Sequence, residues 1–363
     1  MRRIISLLII VAFAGFNARA QYVSLTNAEF TKLGAILKTD AEAKKTFEYF
    51  QATADKALTE TPNPIEEITS EGMLAGHPDK VKSLKAVEDA DKIYALALVY
   101  KLYGNKACLD KATEYLLAWA KVNKSSGDPI DETKLEPLFT GYDILRSSIK
   151  ADAQKTIDIW LDSIAQGELN SDYAKPGQST ATNNWNSHRL KIIAMIAYAI
   201  HSDKYNQIIE KEMAKQIAIN LYADGSGYDF KERDALHYHI YTLEPLVMAA
   251  IVIKRATGKD FFNYESEKGS SIKKSMEFLV PFVTGEKTHG EFLNSKSGFD
   301  RARAKNGEQG YVAGALFHPN TAIYVLELAS YFDIKYADVV LKSFPQGKHK
   351  HDWELLLNKV RSH

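Results

Sequence analysis

The sequence predicts an all-α fold of stacked helical hairpins forming a single domain. Three observations carry this reading. Apolar residues recur at helical spacing along nearly the whole chain, and alternating runs of β-branched residues are scarce. About a dozen such segments are joined by short turns, as in stacked helical hairpins. The chain has no fixed-period repeat, which favours a ring over an open solenoid.

Taken in order, residues 1–20 read as a secretory leader: Arg2 and Arg3, an apolar stretch over 4–16, then Ala18-Arg19-Ala20 as a small-residue cleavage site. The mature chain is then 21–363, exported to the periplasm or beyond. The apolar stretch is short for a membrane helix, which needs about 20 residues, and no later segment is expected to span one. No cysteine follows the leader to carry a lipid. The single cysteine, Cys108, lies on the apolar side of a helical pattern and reads as a buried thiol. Without disulfides, a chain of this length must rest on a large apolar core.

Thr26 and Glu29 make a capping box for the first helix. Helical patterns follow over 41–58 and 87–103; in the second, Ile93, Leu96, Ala97, Tyr100 and Tyr103 form one stripe before Gly104 stops it. Further patterns cover 109–122, 136–149, 153–165, 184–201, 204–223, 234–257, 270–283 and 321–331, with a terminal piece from 351. Three connections exceed what a turn requires. Residues 61–83 carry Pro62, Pro64, Gly72, Gly76 and Pro78 and read as a lid over a cleft. Residues 124–135 hold Gly127, Asp128 and Pro129. Residues 285–314, rich in glycine and charge, read as irregular or strand-like.

The chain has 46 basic and 46 acidic residues. Losing the leader's arginines leaves the mature form slightly acidic, which argues against nucleic acid as a partner. A polyanion remains compatible if cations gather in one groove, because local potential governs capture.

Three stretches could carry chemistry. In NNWNSHR, 183–189, Asn184 and His188 fall four residues apart on one helix and could reach one ligand, unless Asn183 merely caps the helix and His188 lies idle on the surface. In KERDALHYHIYTLEP, 231–245, Arg233 precedes a helix bearing Tyr238 and Tyr241, an anion-binding group beside a proton-transfer group, or else an aromatic girdle. His237 and His239, two apart on a helix, point away from each other, so no metal site is expected. In HGEFLNSKSGFDRARA, 289–304, Lys296, Arg301 and Arg303 could hold successive carboxylates, or form a solvated loop. Trp119, Trp160 and Trp353 sit on core stripes, whereas Trp185, inside the first motif, suits a sugar-stacking surface.

The stretches LLAWAKVNKSSGDPIDETKLEPLFTGYDILR (116–146), NNWNSHR, ALHYHIYTLEPL (235–246) and EFLNSKSGFDRARA (291–304) together resemble the alginate lyase family of toroid enzymes, across roughly residues 65–330. The resemblance implies an incomplete (α/α) toroid of helical hairpins with a sugar cleft across it. In it an Asn and a His, helped by an Arg, neutralise a uronate carboxylate, and a Tyr moves protons. Carried over by motif, these are Asn184, His188, Arg233 and Tyr238, with Lys231 competing for the place of Arg233. In the alginate-specific pattern histidine follows the asparagine directly; here Trp185 stands there, which is more similar to the chondroitin and hyaluronan lyases. Asn183, Trp185, Lys231, His237, Tyr241, Lys296, Arg301 and Arg303 are the expected substrate contacts. The substrate is an anionic polysaccharide or oligosaccharide, and no metal or organic cofactor is expected. Two other readings stay open. A glycoside hydrolase would draw two carboxylates from Asp128, Glu136, Asp143 and Glu244. A non-catalytic glycan-binding protein would need neither.

Overall fold

The computed structural model describes residues 21–344 and 348–361; the expected leader lies outside them. The helices are α1 (Asn27–Thr39), α2 (Ala41–Thr59), α3 (Pro78–Tyr103), α4 (Lys106–Val122), α5 (Pro129–Glu132), α6 (Glu136–Leu145), α7 (Ala151–Asn170) and α8 (Asn184–Ala199). They continue as α9 (Asn206–Asn220), α10 (Tyr228–Arg233), α11 (Leu236–Thr257), α12 (Ile272–Val283), α13 (Gly298–Lys305), α14 (Ile323–Ala329), α15 (Lys335–Ser343) and α16 (Trp353–Val360). Among the described residues there is no strand, only the isolated bridges Leu221 to Gly227 and Gly290 to Leu316.

Helices α3, α6, α8, α11 and α14 touch one another in succession, while α4, α7, α9, α12 and α15 each pack against an inner neighbour. Helix α16 rests on α14 and reaches back to α1 and α2, so the last described helix meets the first two. The result is a toroid of helical hairpins. One large apolar cluster runs from Val23 to Val360, and a small second one gathers Ala235, Tyr238 and Phe292. Close approach needs small residues at one crossing: a Cβ on Gly141 of α6 would stand 3.0 Å from Ile93 Cγ2 and 3.2 Å from the Tyr94 backbone of α3.

Local chemistry sets the helix ends. Thr26 and Glu29 form the expected capping box of α1, and Asp40, Asn105 and Asn183 cap α2, α4 and α8 through their side chains. Gly104 and Gly258 end α3 and α11 in the left-handed conformation. Several boundaries differ from expectation. Helix α3 starts at Pro78, whose ring is preorganised for a first turn, so the lid segment is shorter than 61–83. The pattern read as one helix from 234 begins at Leu236, because Asp234 takes the left-handed conformation (φ 47°) and parts it from α10. The charged stretch 285–314 holds helix α13 rather than strands.

Helix α11 is long and apolar enough to cross a membrane, against expectation, but 83% of its apolar window is buried inside the toroid. Both inner helices α8 and α11 are covered on nearly every face. Buried histidines make the fold acid-sensitive, His239 among them. His239 of α11 is fully buried, with Nε2 3.1 Å from the Ser275 carbonyl. Burial lowers its pKa from 6.5 to about 4. A depressed folded value means that the unfolded chain binds the proton more readily, so this stability is complete above pH 6.5 and is lost as pH falls towards 4. The shift corresponds to about 3 kcal/mol. In thermal melts, His239→Gln therefore flattens the loss of Tm over that interval; an unchanged acid limb would contradict the assignment.

Candidate active site

A cleft of about 490 Å³ opens at the start of α11. It is lined by Asn183, Asn184 and Trp185 from α8, by Arg233, His237, Tyr238 and Tyr241 around the α10–α11 turn, and by Arg303 and Tyr311 from the segment after residue 285. Ser70, Glu71 and Lys80 close it on the lid side, and Lys134 on another.

The turn at Asp234 explains how two neighbouring segments converge on one atom. Its carboxylate accepts from the backbone and side-chain amides of Asn294, both at 2.9 Å, and its carbonyl accepts from Phe292 N at 2.7 Å. Glu291 accepts from the first free amides of α11, Leu236 N at 2.8 Å and His237 N at 3.0 Å, acting as a cap supplied from far along the chain. Both contacts clamp the 285–314 segment onto the helix that bears Tyr238.

Folded back by that turn, the Arg233 guanidinium lies over the Tyr238 ring, 3.7 Å from its centroid, and Nη2 donates to Tyr238 Oη at 2.5 Å. Arg303 Nη1 donates to the same oxygen at 3.2 Å and to Tyr311 Oη at 2.8 Å. Arg233 is held by a bidentate pair with buried Asp300, its Nε 2.7 Å from Oδ2. This geometry leaves the phenol accepting from two cations while its own hydrogen is free to be given or lost. Burial pushes the Tyr238 pKa above its usual value, and the two arginines oppose that rise. The phenol is therefore protonated at rest.

Asn184 is buried at the cleft wall and donates through Nδ2 to Asp229 Oδ1 at 2.7 Å. Asp229 also accepts from Asn220 and Thr242, both at 2.9 Å, so the amide is fixed and has a second N–H to offer. His237 faces the cleft as a neutral imidazole, its pKa lowered to about 4 by burial and then by Arg303 and Arg233.

Several expected contacts lie elsewhere. His188 is not on the cleft wall; it sits behind Tyr241, ring centroids 4.4 Å apart, with Nδ1 3.0 Å from Thr133 Oγ1 and a buried, unpartnered Nε2. The four-residue spacing from Asn184 holds, but the face it selects is covered by α5 and α11. Lys231 points away, over the Tyr222 ring at 4.2 Å and near Asp224 at 3.6 Å. Lys296 pairs with Glu232 at 2.6 Å, and Arg301 folds onto the Ser295 carbonyl at 3.1 Å, both exposed. Sequence reasoning passes over Asp300, Tyr311, Lys134, Lys80, Ser70 and Glu71, although all of them fall in the three long connections and Asp300 also sits inside the third motif.

The lid and the 285–314 segment meet across the cleft mouth, where Ala75 N donates to Glu308 Oε1 at 3.0 Å and Asn306 Nδ2 donates to the Ala75 carbonyl at 3.3 Å. Among the described residues lining the cleft, Glu71 is the one carboxylate, against Lys80, Lys134, Arg233 and Arg303. Asp128 caps α5 and Asp143 is locked to Ser24, so neither enters it.

A helical toroid whose cleft gathers cations around a clamped tyrosine defines a polysaccharide lyase. The sequence model of the family described as Alginate lyase matches residues 33–289, and the chain belongs to that family. Its fold is similar to that of an alginate lyase from Bacteroides ovatus, with a TM-score of 0.67 at 15% identity over 93% of this chain and 98% of that one. Alginate lyase A1-III from Sphingomonas species A1 gives 0.59 at 18% identity, covering 86% and 89%. A tyrosine variant of A1-III complexed with tetrasaccharide gives 0.56 at 20% identity, covering 74% and 79%. No curated protein matches the chain.

Proposed function

We propose that this lyase cleaves alginate or a closely related uronan by β-elimination, with Tyr238 as the proton-transfer group. What carries the reading is the convergence of Arg233 and Arg303 on Tyr238 Oη within one cationic cleft that also holds Asn184. Family membership and the alginate lyases that share the fold favour alginate as the substrate.

The C5 proton of a uronate is held tightly while the adjacent carboxylate keeps its charge. Donors aimed at that carboxylate spread the negative charge that grows as the proton leaves. Asn184, through its second amide hydrogen, and Arg303 supply them, and His237 occupies the place expected of His188. Tyr238, once its own proton has passed to solvent, takes the C5 proton as a phenolate, the electron pair forms the C4=C5 bond, and O4 departs with that proton returned by the same phenol. Arg233 and Arg303 stabilise the transient phenolate. Trp185, beside Tyr173 with ring centroids 4.9 Å apart, offers a face for a neighbouring sugar ring. No step calls for a metal or organic cofactor.

A hydrolase needs a pair of carboxylates about 5 to 9.5 Å apart across the bond, and the single carboxylate on this cleft wall disfavours that reading. Incubation with alginate, glucuronan, hyaluronan and chondroitin, followed by the ultraviolet absorbance of the unsaturated product, tests the proposal: absorbance should rise on alginate first. Reducing ends released without that absorbance would point to hydrolysis, and tight binding with no product to a glycan-binding protein.

Because burial raises the Tyr238 pKa, the base form grows scarcer as pH falls. On this assignment kcat/KM climbs close to tenfold per pH unit between about pH 6 and 8. A flat profile across that range would remove Tyr238 as the base. Export through the leader 1–20, to the periplasm or beyond, is part of the same proposal, and the secreted chain should start at Gln21 by N-terminal sequencing.

A further inference from the structure

Away from this cleft, a second cavity of about 400 Å³ lies between α3, α6, α11, α14 and α16, its wall including Tyr94, Glu136, Tyr324, Glu327, Asp352 and Arg361. Most of its charged groups are paired. Arg361 holds Glu354, Lys191 holds Glu136, and Trp353 Nε1 donates to Tyr94 Oη at 2.9 Å. Glu327 of α14 makes no ion pair among the described residues. It is 5% exposed, and its Oε1 has no hydrogen-bond donor among the described residues. Burial and the neighbouring Asp352 carboxylate push the Glu327 carboxyl well up, so it holds a proton that a bound cation would displace.

What faces it is a metal-ligand set rather than a counter-charge. One ligand atom from each of Glu327, His349 and Asp352 lies within 4.8 Å of the others, and His349 Nδ1 is 2.7 Å from Asp352 Oδ2. Ligands about 2.0 to 2.2 Å from a tetrahedral ion stand roughly 3.3 to 3.6 Å apart, so small side-chain adjustments close the set. The backbone beneath is already fixed: Asn358 Nδ2 donates to the Glu327 carbonyl at 2.8 Å and to Ser330 Oγ at 2.9 Å, and Thr46 Oγ1 donates to the His351 carbonyl at 2.9 Å.

We infer that Glu327, His349 and Asp352 form a site for one divalent transition-metal ion, zinc being the best fit, that ties the C-terminal segment to α14. One imidazole and two carboxylates suit zinc better than calcium, which prefers an all-oxygen shell of six or more ligands. Three protein ligands leave a fourth position for water from the cavity. In a chain with one cysteine, such a staple fastens the closing helix α16 where a disulfide cannot.

The test uses the full mature chain without a histidine tag, stripped with chelator and titrated with zinc chloride by calorimetry, with calcium chloride as the contrast. One equivalent of zinc should bind, raise Tm by roughly 5 °C at a hundredfold excess over Kd, and do so more strongly than calcium. Glu327→Gln and His349→Ala should each weaken zinc binding about 100-fold or more. His349 stands on a connecting segment, so its variant reports on the ligand set even if Glu327→Gln folds poorly. Absence of stoichiometric zinc binding, undiminished binding by His349→Ala, or equal preference for calcium would each overturn the assignment.

Discussion

Tyr238→Phe is expected to lower kcat on alginate by roughly a thousandfold, the usual scale for a positioned proton-transfer group, while KM moves by less than about threefold. The ring remains to pack with Phe292 and Tyr241 and to carry the Arg233 guanidinium on its face, so the fold is retained. Only the oxygen that accepts from Arg233 and Arg303 is lost. Initial rates read by product absorbance, with melting curves as the control, decide the matter. A variant that keeps more than about a tenth of the wild-type rate would place proton transfer elsewhere.

Arg233→Gln carries the second large effect, and here rate and stability can be separated. Loss of the guanidinium removes a stabiliser of the transient phenolate, expected to cost about 100- to 1,000-fold in kcat. It also strands Asp300, buried at 1% exposure and otherwise supported by Ser295 Oγ, which adds a penalty of about 3 kcal/mol to the fold. Asp300→Asn in the same chain removes the stranded charge. The double variant should therefore recover most of the lost Tm and almost none of the lost rate. Recovery of both together would mean that Arg233 acts only by holding the loop in place.

The two effects trace back to features of unequal visibility in the sequence. Tyr238, Arg233 and Asn184 could be singled out in the sequence because each lies in a motif to which the family resemblance assigns a role. The pairing of Arg303 with Tyr238 could not, since 65 residues separate them and the contact depends on Glu291 capping α11 and on the Asp234 turn. His188 departs from expectation for a related reason. Spacing on a helix says which side chains share a face, but not whether that face meets solvent, a cleft or another helix. In a toroid the inner helices are covered all round, so α8 buries polar and apolar faces alike. The same burial makes α11 resemble a membrane helix.

Local order was in the chain itself: helical periodicity, the Thr26–Glu29 box, the glycine stops and the absence of strand patterns need only neighbours a few residues apart. Tertiary structure alone decided which charges face the cleft and which lie behind it. Arg303 was turned inward, while Lys231, Lys296 and Arg301 were paired or folded away outside it. The physical reason is that propensity and capping act within a turn or two of helix, whereas the protonation and exposure of a buried group depend on everything packed against it, much of it remote in sequence.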